Sequence, residues 1–153
     1  MFLTVPAGAQ ASGGDQAAIE TLYHQFDAAF NKKDVDGIMA EYAPDVFVFD
    51  VIPPRQYVGS AAYRKDWEDL FAANPGPMTG RVTDLSITVV GSVAYTHYLE
   101  VGSMADKDGK QTQLAVRSTD VLRKKNGKWL IVQEHNSVPV DLATGQGDML
   151  SKE

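Results

Sequence analysis

The sequence predicts an α+β fold in which three helices pack on one face of a strongly bent antiparallel sheet. Two patterns carry that prediction. Up to Phe71, apolar residues recur at three- and four-residue steps, the spacing of a buried helix face. Beyond Pro77 the chain turns to long strand-forming runs. Asp108-Gly109 and Asn126-Gly127 separate them, and both are pairs that supply the positive φ of hairpin turns. At 153 residues, such an order suits one domain with one core.

Residues 1–14 read as an unstructured leader closed by Gly13-Gly14, 15–140 as the domain and 141–153 as a C-terminal tail. Asp15 can cap a helix to about Asn31, with Ile19, Leu22, Tyr23, Phe26 and Phe30 on one stripe. Asp34 can cap a second, shorter helix that buries Val35, Ile38, Met39 and Tyr42 and ends at Pro44-Asp45. Val46 to Asp50 reads as a short strand. Gly59-Ser60 leads into a third helix with Tyr63, Trp67, Leu70 and Phe71 on one face, and Asn74-Pro75-Gly76-Pro77 stops it. Four strands follow, over 81–90, 93–105, 111–123 and from Lys128 toward Pro139.

Composition narrows the function. Apolar residues make up 44% and charged residues 22%, as in globular rather than disordered chains. The net charge of −6 and the lack of a basic cluster argue against nucleic acid or an anionic membrane as partner. No apolar run is long enough to span a bilayer. With no cysteine there are no disulfides and no thiolate chemistry. The three His are dispersed, without nearby carboxylate spacing, so no metal site is expected. Neither a phosphate loop, a dinucleotide fingerprint nor a nucleophile elbow is present, and no cofactor is expected. Ala9-Gln10-Ala11 after an apolar stretch has the form of a signal-peptidase site. It suggests export to the periplasm; a leader of a cytoplasmic protein is the alternative.

Two segments bear a resemblance. Asp34 to Asp45, followed by the strand to Asp50 and then Gly59, is similar to the second helix and first strand of the nuclear-transport-factor-2-like (NTF2-like) superfamily. Arg117-Ser118-Thr119-Asp120-Val121-Leu122-Arg123, with Asn126-Gly127-Lys128-Trp129 and His135-Asn136-Ser137-Val138-Pro139, resembles the closing hairpin of its SnoaL-like and kinase-association-like members. The resemblance implies a cone-shaped, cystatin-like fold, a small-molecule pocket and a homodimer formed through the outer face of the sheet. It does not imply one reaction, since this fold hosts enzymes, binding modules and oligomerisation domains. Ketosteroid isomerase, a member of the superfamily, sets an Asp base against an oxyanion hole of a Tyr and a protonated Asp. Matched to that enzyme, Asp50 falls at the base, Phe26 at the oxyanion Tyr and Thr119 at the oxyanion Asp.

Several residues could carry chemistry. Asp50 ends an apolar strand and could abstract a proton; it could equally tie down the Pro53-Pro54 loop. Arg117 and Thr119 share a strand face. Arg117 could stabilise an oxyanion or bind a carboxylate, or could pair with Glu134 across the hairpin. His135 and Ser137 share one face of the last strand, and Glu134 and Asn136 the other. Trp129 and Ile131 are in phase with His135, which argues that His135 points inward, as base, as contact to an anionic ligand or equally as a core histidine satisfied by a backbone carbonyl, although a single bulge reverses that assignment. His97 is a second pocket histidine or an exposed one, and Tyr42 and Trp67 would roof the hollow or simply fill the core. The reading is a cofactor-free isomerase, dehydratase or cyclase of a carbonyl compound, with Asp50, His135 and Arg117 catalytic. Thr119, Tyr42, Trp67, His97, Asn136 and Ser137 would contact the ligand. A non-catalytic binding or oligomerisation domain is the alternative.

Overall fold

The computed structural model describes residues 13–148. The order is α1 (Gly13–Lys32), α2 (Val35–Met39), β1 (Tyr42–Phe49), β2 (Tyr57–Val58), α3 (Ser60–Ala73), β3 (Met78–Val90), β4 (Val93–Ala105), β5 (Gln111–Lys125) and β6 (Lys128–Ser137). One sheet of six strands runs β2-β1-β6-β5-β4-β3. The expected A-x-A leader motif lies outside the described residues. Among the described residues, no helix is long and apolar enough to cross a membrane.

Helix α1 buries the expected stripe, Ile19, Leu22, Tyr23, Phe26 and Phe30. Burying each such side chain stabilises the fold by roughly 1.5–3 kcal/mol. Gly13 and Gly14 belong to the helix rather than to a leader, because Asp15 anchors the first turn. Its carboxylate meets Lys124 Nζ at 2.5 Å and accepts from Trp129 Nε1 at 3.1 Å. Phe30 lies directly over Gly80, where a Cβ would sit 2.7 Å from the ring. The glycine lets the helix close down on the sheet.

Helix α2 is capped by Asp34, whose Oδ1 accepts from Gly37 N at 3.0 Å. It ends three residues earlier than its apolar spacing suggests. Tyr42 therefore begins β1 instead of closing the helix. The reason is pairing: Ile131 N donates to Glu41 O at 2.9 Å and draws the chain alongside β6. That pairing is parallel, so the sheet is mixed rather than wholly antiparallel. The hairpins β3-β4, β4-β5 and β5-β6 are antiparallel, as the turn residues predict. Besides a shift between Tyr42 and Phe47 where β1 meets β6, two register shifts break the antiparallel part of the sheet. One falls between Thr83 and Ser86, where Asp84 has φ 54°. The other falls opposite Val121 and Leu122, which pair with Gln133 and Ile131, so Val132 is an extra residue on β6.

Candidate functional site

A cavity of about 130 Å³ opens between α3, the end of β1 and the inner faces of β4, β5 and β6. Its apolar wall is Phe30, Trp67, Leu70, Met104, Leu114 and Val116, and the half-exposed Val51 and Ile52 stand at its rim. Trp67 stands against Phe30 and Tyr63 with ring centroids 5.9 and 5.7 Å apart. The polar lining is Asp50, Tyr63, Asp66, Glu100 and Asn136. No Lys, Arg or His lines it. Among the described residues, no three His, Asp or Glu side chains are grouped so as to hold a metal ion.

Glu134 lies behind this lining, 3% exposed. Its carboxylate accepts from Tyr42 Oη at 2.5 Å, Tyr63 Oη at 2.6 Å and Asn136 Nδ2 at 2.8 Å. Burial pushes its pKa up to about 6; the tyrosine and asparagine donors pull it back, while Asp50 raises it further. Asp50 is half-buried at the mouth. It accepts from the Val51 N–H at 2.5 Å and from the same Tyr63 hydroxyl at 3.1 Å. Glu100 faces the cavity from β4. Burial pushes it up to about 8, and the charges of Glu134, Asp50 and Asp27 add to the shift. At neutral pH it is mainly a carboxylic acid, a hydrogen-bond donor in an apolar wall. Asp66 accepts from Tyr57 Oη at 2.6 Å and is raised by burial.

Below Glu134 a second acid is sealed from solvent. Asp120 is fully buried and accepts from Tyr23 Oη at 2.7 Å and Tyr98 Oη at 3.1 Å. Burial, reinforced by Glu134, holds it well above the carboxylate range. Its Oδ1 has no partner, and neither has the buried Trp67 Nε1 in the cavity wall. A buried donor without a partner beside a hollow is a contact available to a ligand oxygen.

The sites named from sequence divide by strand face. Asp50, Trp67 and Asn136 line the cavity. Tyr42 lies under its floor and holds Glu134. Arg117, Thr119, His135 and His97 are exposed on the opposite face of the sheet, and Ser137 joins them there. Thr119 pairs with both His97 and His135, and Arg117 pairs with Ser137. The pocket placement of these five is thereby corrected. Val116, Ser118, Asp120 and Leu122 are the buried phase of β5, so Arg117 and Thr119 must point outward. On β6, Trp129 and Ile131 do face inward. The bulge at Val132 then reverses the phase, turning Glu134 in and His135 out. Thr119 is likewise one residue off the inward acid, Asp120, whose partner Tyr23 lies one helical turn before Phe26.

Sequence reasoning misses Glu100, Asp66 and Asp120 and reads Tyr63 only as a core face. A signal exists for the strand acids. Asp120 shares the strand phase of Ser118 and Leu122, and Glu100 that of Tyr98 and Thr96.

Helices over a curved sheet, enclosing an acid-lined hollow, define the NTF2-like, cystatin-like fold. The chain belongs to the SnoaL-like domain family, whose model matches residues 19–141. An NTF2-like protein of unknown function from Pseudomonas putida is 28% identical, with a TM-score of 0.85 over 94% of this chain and 100% of that one. A ketosteroid isomerase-like protein from Erwinia carotovora is 21% identical, with a TM-score of 0.71 over 82% of this chain and 97% of that one. A chain from Novosphingobium aromaticivorans named as a candidate scytalone dehydratase is 16% identical, with a TM-score of 0.75 over 83% and 85%. The latter two share the fold alone. No curated protein matches the chain in sequence.

Proposed function

We propose that the cavity performs cofactor-free acid–base chemistry on a small neutral carbonyl compound. The observation that carries this reading is that two acids line one apolar hollow: Asp50 at the mouth and Glu100, raised by burial, in the wall. Two acids in unlike surroundings beside one substrate can divide the work of base and acid. Asp50 takes a proton from the carbon next to the carbonyl. The C–H electron pair moves toward the carbonyl oxygen, which accepts a hydrogen bond from Glu100. In a β,γ-unsaturated ketone, return of the proton from Asp50 to the γ-carbon moves the double bond and completes an isomerisation; with a hydroxyl on the β-carbon, that proton leaves with the hydroxyl as water and gives a dehydration.

Size and charge support a substrate class. An apolar cavity of about 150 Å³ accommodates benzene, so this hollow suits one ring rather than a fused steroid. An acid-lined hollow with no cation in its lining disfavours a carboxylate ligand. The reading of Arg117 as an anion clamp loses its basis, because Arg117 lies on the outer face.

The test is deuterium exchange at the α-carbon of single-ring ketones such as cyclohexanone and phenylacetone, followed by NMR. Wild type is expected to catalyse exchange, and Asp50→Asn to lose about 10²–10⁴-fold of it. Exchange no faster than in Asp50→Asn across the ketones overturns the reading. Binding of the ketones without exchange favours the binding module instead.

The outer face supports the homodimer implied by the family. Phe47 and Phe49 meet at 4.9 Å, Phe49 and His135 at 5.5 Å, and Tyr95 is 50% exposed on the same side. Light scattering is expected to give twice the chain mass of 16.6 kDa; a monomer at micromolar concentration overturns this.

A further inference from the structure

Tyr63 has one hydroxyl hydrogen and two carboxylate neighbours. Its Oη lies 2.6 Å from Glu134 Oε1 and 3.1 Å from Asp50 Oδ2. It cannot donate to both. The shorter contact identifies Glu134 as the acceptor when Glu134 is charged. Asp50 then faces the lone pairs of Tyr63 Oη. Two oxygens without a hydrogen between them repel, and a proton arriving on Asp50 removes the repulsion by donating to Tyr63 Oη.

We propose that Glu134 is a positioning residue for the base. By holding the Tyr63 hydrogen, it leaves Asp50 an acceptor ready for its next proton, and when Glu134 is itself protonated it releases that hydrogen to Asp50. The device is a two-position switch with one hydrogen. In the active position the order is Glu134 carboxylate, Tyr63 O–H donating to it, and Asp50 open to substrate. In the resting position Glu134 carries a proton, and Tyr63 donates to Asp50 and blunts it as a base. No bond to the substrate changes in the switch; a solvent proton enters or leaves Glu134, and the Tyr63 O–H rotates.

The surroundings suit such a switch. Tyr42 and Asn136 fix Glu134 from β1 and β6, so its carboxylate has no freedom to swing away. Glu100 and Tyr98 on β4, Asp120 on β5 and Tyr23 on α1 also feel its charge. Asp66 on α3 and Tyr57 on β2 feel that of Asp50. All are acids or phenols, and no cation lines the cavity to compete for either carboxylate. With Glu134 titrating at about 6, the resting position fills as pH falls below that value.

The inference rests on Asp50 as the base, but one arm of its test does not. In protein labelled with ¹³C at aspartate carboxyls, the Asp50 signal is expected to inflect near pH 6, as Tyr63 changes partner. The inflection should vanish in Glu134→Gln and shrink strongly in Tyr63→Phe. Absence of the inflection in wild type, or one of equal size in Tyr63→Phe, overturns the switch whatever the enzyme does. In the second arm, Glu134→Gln should slow ketone exchange at pH 8 about tenfold, the order of one lost charge interaction. The same change in a Tyr63→Phe background should do almost nothing. Equal losses in both backgrounds contradict relay through Tyr63. Absence of wild-type exchange, with the NMR inflection present, refutes the proposed reaction and leaves the switch standing.

Discussion

The two faces of one pair of strands differ more than two separate domains often do. Inward, β5 and β6 carry Asp120 and Glu134, held by tyrosine hydroxyls from α1, β1, α3 and β4, and Asn136, which donates to Glu134 and accepts from Ser118. Outward, the same strands carry Arg117, Thr119, His135 and Ser137, the first three exposed to solvent. Residues adjacent in sequence thus live in opposite electrostatic worlds. The inner acids lose hydration and shift upward, because no cation offsets their burial. The lesson is that side-chain phase, more than residue type, decides which polar groups acquire chemistry. The histidines and the arginine, whose side chains would ordinarily suit proton transfer and oxyanion binding, are on the wet side.

The contrast between the faces can be broken at several points. The largest effect is expected at Asp50, whose change to Asn should remove most ketone exchange without altering the unfolding transition. Next comes Glu100. An acid raised on folding binds its proton more readily in the folded state than in the unfolded one. Its contribution is therefore most favourable below about 4.5 and is lost as pH rises toward about 8. Wild-type stability should fall over that window, and Glu100→Gln should flatten the fall, gaining of order a few kcal/mol at pH 8 in urea unfolding. A stability rising from pH 5 to 8 would contradict the inner-face electrostatics. Tyr23→Phe should follow with a loss of about 1–3 kcal/mol, because it removes a donor from the sealed Asp120 and leaves Thr96 Oγ1 without its partner. Smallest of all, Arg117→Ala should change stability by no more than about 0.5 kcal/mol and leave exchange unaltered. An effect there as large as at Asp50 would erase the distinction between the faces.

Much of the fold is readable in the sequence. The stripe from Ile19 to Phe30, the stop at Asn74-Pro75-Gly76-Pro77 and the turns at Asp108-Gly109 and Asn126-Gly127 are local signals, and local signals survive folding. What is not readable comes from pairing between distant segments. Tyr42 leaves its helix because Glu41 O meets Ile131 N, a contact across 90 positions that no nearby residue announces. The site is legible by halves for a related reason. Asp50, Trp67 and Asn136 stand out, one at a strand end, one on a helix face and one in the closing motif. His135 is misassigned when phase is carried forward from Trp129 and Ile131 through Val132, because a bulge there leaves no mark in residue type. Glu100 and Asp120 escape notice because acids on a strand read as solvent-facing until the neighbours that bury them are known.

If proton chemistry belongs to the inner face, with Asp50 as its base, the outer histidine is dispensable. The most direct measurement compares α-carbon deuterium exchange of phenylacetone by wild type, Asp50→Asn and His135→Ala under one set of conditions. Rapid exchange is predicted in wild type and His135→Ala, and almost none in Asp50→Asn. Exchange that survives in Asp50→Asn and disappears in His135→Ala would contradict it.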